Sequence, residues 1–322
     1  MNPRFFPFLA LLLAVSLTAC VSVPPPAPPV PAPARVAALK GPTGLGMLKM
    51  ISDAPERFAF SIHGSADEIV AGLQGGTLDI AAVPCNLAAV LYNRMEGGVR
   101  VIAVNTRGVL YVLDTTGSVH TVEDLRGRTV YSTGMGTTPE FALNYILRQN
   151  GLEPGRDVQI EYKAEATELG TLMASGIAEL CVLPEPYVTT VLSRNESARA
   201  ALSLSAEWDA VQAEFGMLTG SVVARTAFLE EHPDVVTAFL TDYRASVDFI
   251  NAHIEEGARL SEVYEIAPAA IARDAIPRCN IIFLDGAEME RNLRGYLGVL
   301  FEADPKSVGG SLPDAAFYYI PA

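Results

Sequence analysis

Basic residues are scarce in this chain. Its 322 residues carry 23 Lys and Arg against 37 Asp and Glu, a formal charge of −14. That balance argues against nucleic-acid binding, which needs a basic footprint to displace counterions. Cysteine is also rare, at four residues, with no CxxC pair, and the four histidines contain no HExxH arrangement. No metal centre and no cofactor are expected from such spacings. There is a single Trp, and only one long apolar run, at the extreme N-terminus. One run excludes a polytopic membrane protein. Apolar residues, in contrast, make up 50% of the chain and charged ones an ordinary 19%, a composition that folds. The length allows one large or two medium domains.

The N-terminus reads as an address. Arg4 is followed by an apolar stretch from Phe5 to Leu17 and then by Leu17-Thr18-Ala19-Cys20. The stretch is too short for a membrane span and ends in small residues at a Cys, the pattern of a bacterial lipobox. Residues 1–19 are therefore expected to be a lipoprotein signal peptide, with Cys20 lipidated and the body held at the outer face of a bacterial membrane. Residues 20–34 are almost wholly Pro, Ala, Val and Ser. This composition buries no core, favours extended polyproline II and reads as a tether. Three thiols remain, Cys85, Cys181 and Cys279. They allow at most one disulfide, and structural or apolar roles are expected for all three.

From Arg35 onward short apolar runs alternate with amphipathic stretches, the βα pattern of open sheets with helices on their faces. The first series places strands at 35–40, 58–62, 79–83, 99–104 and 109–114. A second series begins near Val119, with strands at 128–131, 158–162 and 180–183 and a last strand at 218–224. The remainder is mostly helical. Two series imply two lobes: 35–114 with 219–322 forming lobe 1, and 115–218 forming lobe 2. The chain would cross between them near Leu113–His120 and Phe215–Gly220.

Ligands in such sheets bind beyond strand carboxyl ends, at helix beginnings. Four junctions of that kind carry unusual sequence: Gly41-Pro42-Thr43-Gly44-Leu45-Gly46, Pro84-Cys85-Asn86, Ser132 through Pro139 (STGMGTTP), and Pro184-Glu185-Pro186-Tyr187. Singly, each reads as an ordinary turn or helix cap. Together they would line a cleft with backbone N–H groups and hydroxyls, able to hold an oxyanion without a cation. Gly44 and Gly46 are followed by Lys49 where a dinucleotide fingerprint needs Gly, and neither Gly-rich loop is a P-loop. Glu185 adds an acceptor for an amine or amide, or else is an exposed first-turn carboxylate favoured by the helix dipole.

At these loops the sequence resembles bacterial ABC-transporter substrate-binding lipoproteins, in the branch of the aliphatic-sulfonate, taurine, nitrate and thiamine-precursor binders. The resemblance rests on Gly76–Pro84 (GTLDIAAVP), Thr121–Arg128 (TVEDLRGR), Gly136–Glu140 (GTTPE), Leu183–Tyr187 (LPEPY) and Phe228–Pro233 (FLEEHP), and covers roughly residues 35–320. It implies an α/β fold of the type II periplasmic-binding-protein class: two lobes, each with a central mixed sheet flanked by helices, joined by a two-strand hinge. It further implies a monomer that delivers a small-molecule solute to an ABC permease and its ATPase. Solute contacts are expected at Thr43, Gly44, Cys85, Asn86, Gly136, Thr137, Thr138 and Glu185. Sulfonate and nitrate binders often bring a basic side chain to the anion, and none of the four loops holds one, which leaves room for a neutral or amine-bearing solute. No nucleophile–base pair announces itself, so no enzyme is expected. The alternatives are an enzyme on the same scaffold, for which Glu185 with His63 is the pair to nominate, and a sensory ligand-binding module.

Overall fold

The computed structural model describes residues 33–321. The expected signal peptide, Cys20 and the tether up to residue 32 lie outside the described residues.

Among the described residues there are eleven strands: β1 (Ala34–Leu39), β2 (Phe58–His63), β3 (Ile80–Pro84), β4 (Val99–Arg107), β5 (Leu110–Asp114), β6 (Thr129–Ser132), β7 (Gln159–Tyr162), β8 (Leu180–Pro184), β9 (Arg199–Ser203), β10 (Leu218–Arg225) and β11 (Ile281–Leu284). They form a six-stranded sheet in the order β11-β4-β10-β3-β1-β2 and a five-stranded sheet in the order β7-β6-β8-β5-β9. Both sheets are mixed. In the first, β1 pairs parallel with β2 and β3, while β10 pairs antiparallel with β3 and β4. In the second, β6 is parallel to β7 and β8, and β5 is antiparallel to β8 and β9. Helices between the strands pack their apolar faces on the sheets, as the alternation in the sequence requires.

The expected boundary at residue 114 is corrected here. Leu110–Asp114 belongs to the five-stranded sheet, with Tyr111 opposite both Leu183 and Ser203. The chain therefore crosses at Gly108-Val109, and it returns between the helix Leu204–Val211 and β10. Hydrophobic periodicity reports that a strand exists but not which sheet takes it. Gly108 sits where the crossing is tightest: a Cβ there would lie 1.9 Å from Ser205 Oγ and 2.6 Å from Met217 Cε. Two strands went unread in the sequence, β9 and β11.

Two phrases that look diagnostic in sequence do structural work. Asp79 accepts bonds from Arg35 N at 3.0 Å and Arg35 Nε at 2.8 Å, pinning the start of β3 to β1. In Thr121–Arg128 the Asp124 carboxylate accepts from His120 N and Thr121 N, a reciprocal cap on the short turn Val122–Leu125.

The halves share buried apolar volume. One cluster holds Val83, Ala89 and Val101 of the six-stranded half together with Val130, Leu143 and Val182 of the other. Trp208 is fully buried in it, with ring centroids 4.7 Å from Tyr145 and 5.2 Å from Tyr296, and donates its Nε1–H to Phe215 O at 2.8 Å. Tyr145 lies on the helix Thr138–Gln149 and Tyr296 on the helix Gly286–Ala303. Trp208→Ala should cost about 3–5 kcal/mol through the lost transfer energy and the cavity left behind. Denaturant unfolding followed by far-UV circular dichroism measures it.

Candidate functional site

Strand direction decides which residues meet. β1, β2, β3 and β4 all end at one edge of their sheet, and β10 and β11 begin there, with Gly220 opposite Pro84 and Ile281 opposite Thr106. In the other sheet β6, β7 and β8 end at the edge where β5 begins, Leu110 lying opposite Pro184. Only Gly108 and Val109 separate β4 from β5. The two edges must therefore face each other, and the loops beyond them form the candidate site.

Asn86, at the start of the helix Cys85–Arg94, is wholly buried. Its Nδ2 donates to Ser307 O at 2.9 Å and to Gly136 O at 3.3 Å, and its Oδ1 accepts from Thr138 Oγ1 at 3.1 Å. The amide thus bolts the two halves together and ties both to the C-terminal turn Pro305–Val308.

The loop 133–138 opens the helix Thr138–Gln149. Gly134 and Gly136 have φ of 73° and 75°, in the left-handed region that favours glycine. A Cβ on Gly134 would lie 2.6 Å from Thr137 Oγ1. Thr137 Oγ1 donates to Gly134 O at 2.7 Å, and Gly136 N donates to Glu140 Oε2 at 2.5 Å. Met135 stands at the loop tip, 70% exposed.

Glu185 is buried, not exposed. Its Oε2 accepts from Thr189 N at 3.0 Å and Thr189 Oγ1 at 2.8 Å, closing the start of the helix Tyr187–Arg194. Its Oε1 meets Arg278 Nε at 2.9 Å as an ion pair, off the axis of a hydrogen bond. Arg278 also donates to Thr189 Oγ1. Burial raises the Glu185 carboxyl above its ordinary range, and the Thr189 bonds and Arg278 oppose that rise.

Arg278 is the residue that sequence reasoning missed. It stands in the turn Ile276–Arg278, just before β11, and brings a guanidinium from the six-stranded half to a carboxylate of the other. The rule of looking beyond strand carboxyl ends passes over it, because β11 runs antiparallel and presents its beginning to the site. The signal was the run Ile281–Leu284: read as an edge strand after Pro277-Arg278, it would have placed the arginine here. Outside the pair, Thr189, Ser193, Arg273 and Arg278 line an open groove of about 540 Å³ between the two halves.

The other expected contacts sit as follows. Gly41 approaches Glu185, a Cβ there lying 3.6 Å from its carbonyl oxygen. Thr43 is half-buried and donates to Leu39 O at 3.2 Å. Gly44 is packed inward, its Cβ position 3.0 Å from Ile266 Cδ1 and from Leu39 O. Cys85 is fully buried beside Ser221, and burial pushes its thiol up. Cys181 is pushed up to about 12 and Cys279 well above the ordinary thiol range, again by burial, and none of the three is bonded to another. Thiols held protonated are poor nucleophiles and poor ligands. The structure does not bring Glu185 and His63 together: His63 is bonded to Ser61 and Glu68 instead. Among the described residues no group of three His, Cys, Asp or Glu side chains could hold a metal ion.

Arg278→Met would leave the Glu185 carboxyl without its cation and raise it further. A carboxyl held above its unfolded value contributes stability below the ordinary Glu range and loses it as pH rises through the folded value. The variant should therefore be about 1–3 kcal/mol less stable at neutral pH, a range set below that of fully buried pairs because Arg278 is 42% exposed. The gap should close near about pH 4, as read by denaturant titration at both pH values.

The sequence matches no protein-family model, and no curated protein matches it. Solved structures do. An ABC transporter protein of Parabacteroides distasonis aligns with a TM-score of 0.75 and 26% identity, over 91% of this chain and 99% of that one. The periplasmic aliphatic sulphonate binding protein of Escherichia coli aligns with a TM-score of 0.71 and 16% identity, over 91% and 94%. The periplasmic nitrate-binding protein of Synechocystis aligns with a TM-score of 0.62 and 12% identity, over 86% and 84%. Two mixed sheets flanked by helices make up the α/β fold that the chain shares with them. Its fold is that of the type II periplasmic binding proteins, and its structural neighbours are the binding proteins of ABC transporters.

Proposed function

We propose that the chain is the extracytoplasmic solute-binding component of an ABC importer. It would capture a small organic or anionic solute between its halves by venus-flytrap closure and pass it to a permease driven by a separate ATPase. The observation that carries this reading is the meeting of strand-end loops from both sheets, Asn86 with Gly136 and Thr138, and Glu185 with Arg278. A ligand shifts an open–closed equilibrium only through contacts that differ between the two states, and a site drawn from both halves meets that condition.

Of the expected contacts, Thr43, Gly136 and Thr137 would face the solute. Gly44, Cys85, Asn86, Thr138 and Glu185 would build the walls that hold them. Arg278 supplies the guanidinium that the four loops lack, which supports a solute carrying an anionic group. Lipid on Cys20 would hold the body, as a monomer, at the outer face of a bacterial membrane. Among the described residues no helix is long and apolar enough to cross one. The charge of −14 is then a solvated exterior with no nucleic-acid partner.

A thermal-shift screen of sulfonates, nitrate, amino acids and pyrimidines tests the capture. A solute of the site at a hundred times its Kd adds about 2.7 kcal/mol to stability. Thr137→Val and Arg278→Met should each abolish most of that rise while still unfolding cooperatively. A flat response to the whole panel, or full responses from both variants, counts against the site. The anchor is tested separately: the wild-type chain should partition into the detergent phase from bacterial membranes, and Cys20→Ala into the aqueous phase.

A further inference from the structure

Ser61, His63 and Glu68 form an arrangement that solute capture does not use. Ser61 and His63 are two apart on β2, an edge strand. Side chains alternate along a strand, and Phe60 and Ile62 pack inward on the apolar core. Ser61 and His63 therefore share the opposite face. His63 Nε2 lies 2.9 Å from Ser61 Oγ, and His63 Nδ1 lies 2.5 Å from Glu68 Oε2 on the helix Ala66–Gln74. With its proton on Nδ1, held by the carboxylate, the imidazole presents a lone pair to the serine hydroxyl. A second acceptor at that hydroxyl, Val36 O, lies 3.5 Å away, longer than the 2.9 Å to the imidazole. A nucleophile within reach of a base that a third group orients is the signature of covalent acyl transfer.

The surroundings favour turnover at the protein rim. Ser65 makes no side-chain cap on the helix it begins, so the first-turn N–H groups of that helix lack that partner. Gly64 follows His63 directly, and a Cβ there would lie 3.4 Å from Glu165 Oε1 of the other half. Glu165 borders a groove of about 420 Å³ lined by Ala164, Thr167, Glu168 and Thr171. With Asp67, Glu165 and Glu168 close by, an anionic substrate is repelled.

We propose that Ser61, His63 and Glu68 constitute an esterase site for short uncharged or cationic carboxylic esters. Ser61 Oγ bonds to the ester carbonyl carbon while its proton passes to His63 Nε2. The carbon–alkoxide bond breaks and the alcohol leaves with that proton. Water then adds to the acyl-serine as His63 takes a proton from it, the carbon–Oγ bond breaks, and Ser61 regains the proton as the carboxylic acid departs. Glu68 is a positioning residue, acting through the imidazole.

The test uses the purified full chain with p-nitrophenyl acetate and a fluorophosphonate probe. The probe should leave its adduct on Ser61 in peptide mass spectrometry. Hydrolysis should vanish in Ser61→Ala and fall roughly a hundredfold in His63→Ala, the usual worth of a positioned base. Added imidazole should restore part of the His63→Ala rate, a rescue that a merely structural histidine would not show. Glu68→Gln should lower kcat with KM unchanged. Thermal melting of each variant confirms that the fold persists. No adduct on Ser61, or equal hydrolysis by wild type and Ser61→Ala, overturns the proposal.

Discussion

Leaving a buried amide half bonded is costly, and much of this molecule is arranged around one whose donors and acceptor are all engaged. Asn86 reaches segments 50 and 221 residues away in the chain through a single Nδ2 group. A made hydrogen bond contributes about 1 kcal/mol net, whereas a buried donor left without a partner costs about 1–3 kcal/mol. The positions of the loop at Gly136 and the turn at Ser307 are therefore not independent: moving either away strands the amide. That is a strong constraint for one side chain to impose. It links the helix 85–94, the loop 133–138 and the C-terminal turn in one hydrogen-bonded set although they come from both sheets.

The apolar core continues that constraint. Trp208 lies against Tyr145 of the five-stranded half and Tyr296 of the C-terminal helix, so the return crossing ends in packing shared by both halves. Phe215, whose carbonyl receives the indole proton, rests on Gly295: a Cβ there would sit 2.3 Å from its ring. Gly108 does the same service at the outward crossing. Each passage between the sheets thus has one point of close contact that a larger side chain at Gly108 or Gly295 would disturb.

Most strands were legible from alternation and turn residues, because β1, β3, β4 and β8 are apolar runs broken at Gly or Pro. β9 was not, since Arg199-Ala200-Ala201-Leu202 follows a helix end with little contrast in polarity. β11 was hidden inside a helical third of the chain. The four unusual loops do gather at one seam, yet their side chains divide by role in a way no spacing reports. Asn86 and Glu185 look like hands held out to a ligand, and each is occupied by the other half of the protein. Arg278 lies 93 positions beyond Glu185, and only the antiparallel direction of β11 brings it back. Sequence carries local hydrogen-bonding capacity well; it carries partner choice across 90 residues only through topology.

The two polar links between the halves differ in cost. The Asn86 link is neutral, and its bonds to Ser307 and Thr138 are buried, so separating it leaves amide groups unpaired. The Glu185–Arg278 link is different, because Arg278 is 42% exposed and water can take over its guanidinium as the pair parts. What resists separation there is the carboxylate, whose burial already works against its charge. Thr189 retains its two bonds to Glu185 whichever way Arg278 moves, since both groups belong to the same helix start. The Glu185–Arg278 link is therefore the less costly of the two to part in water, and the Asn86 link the more costly.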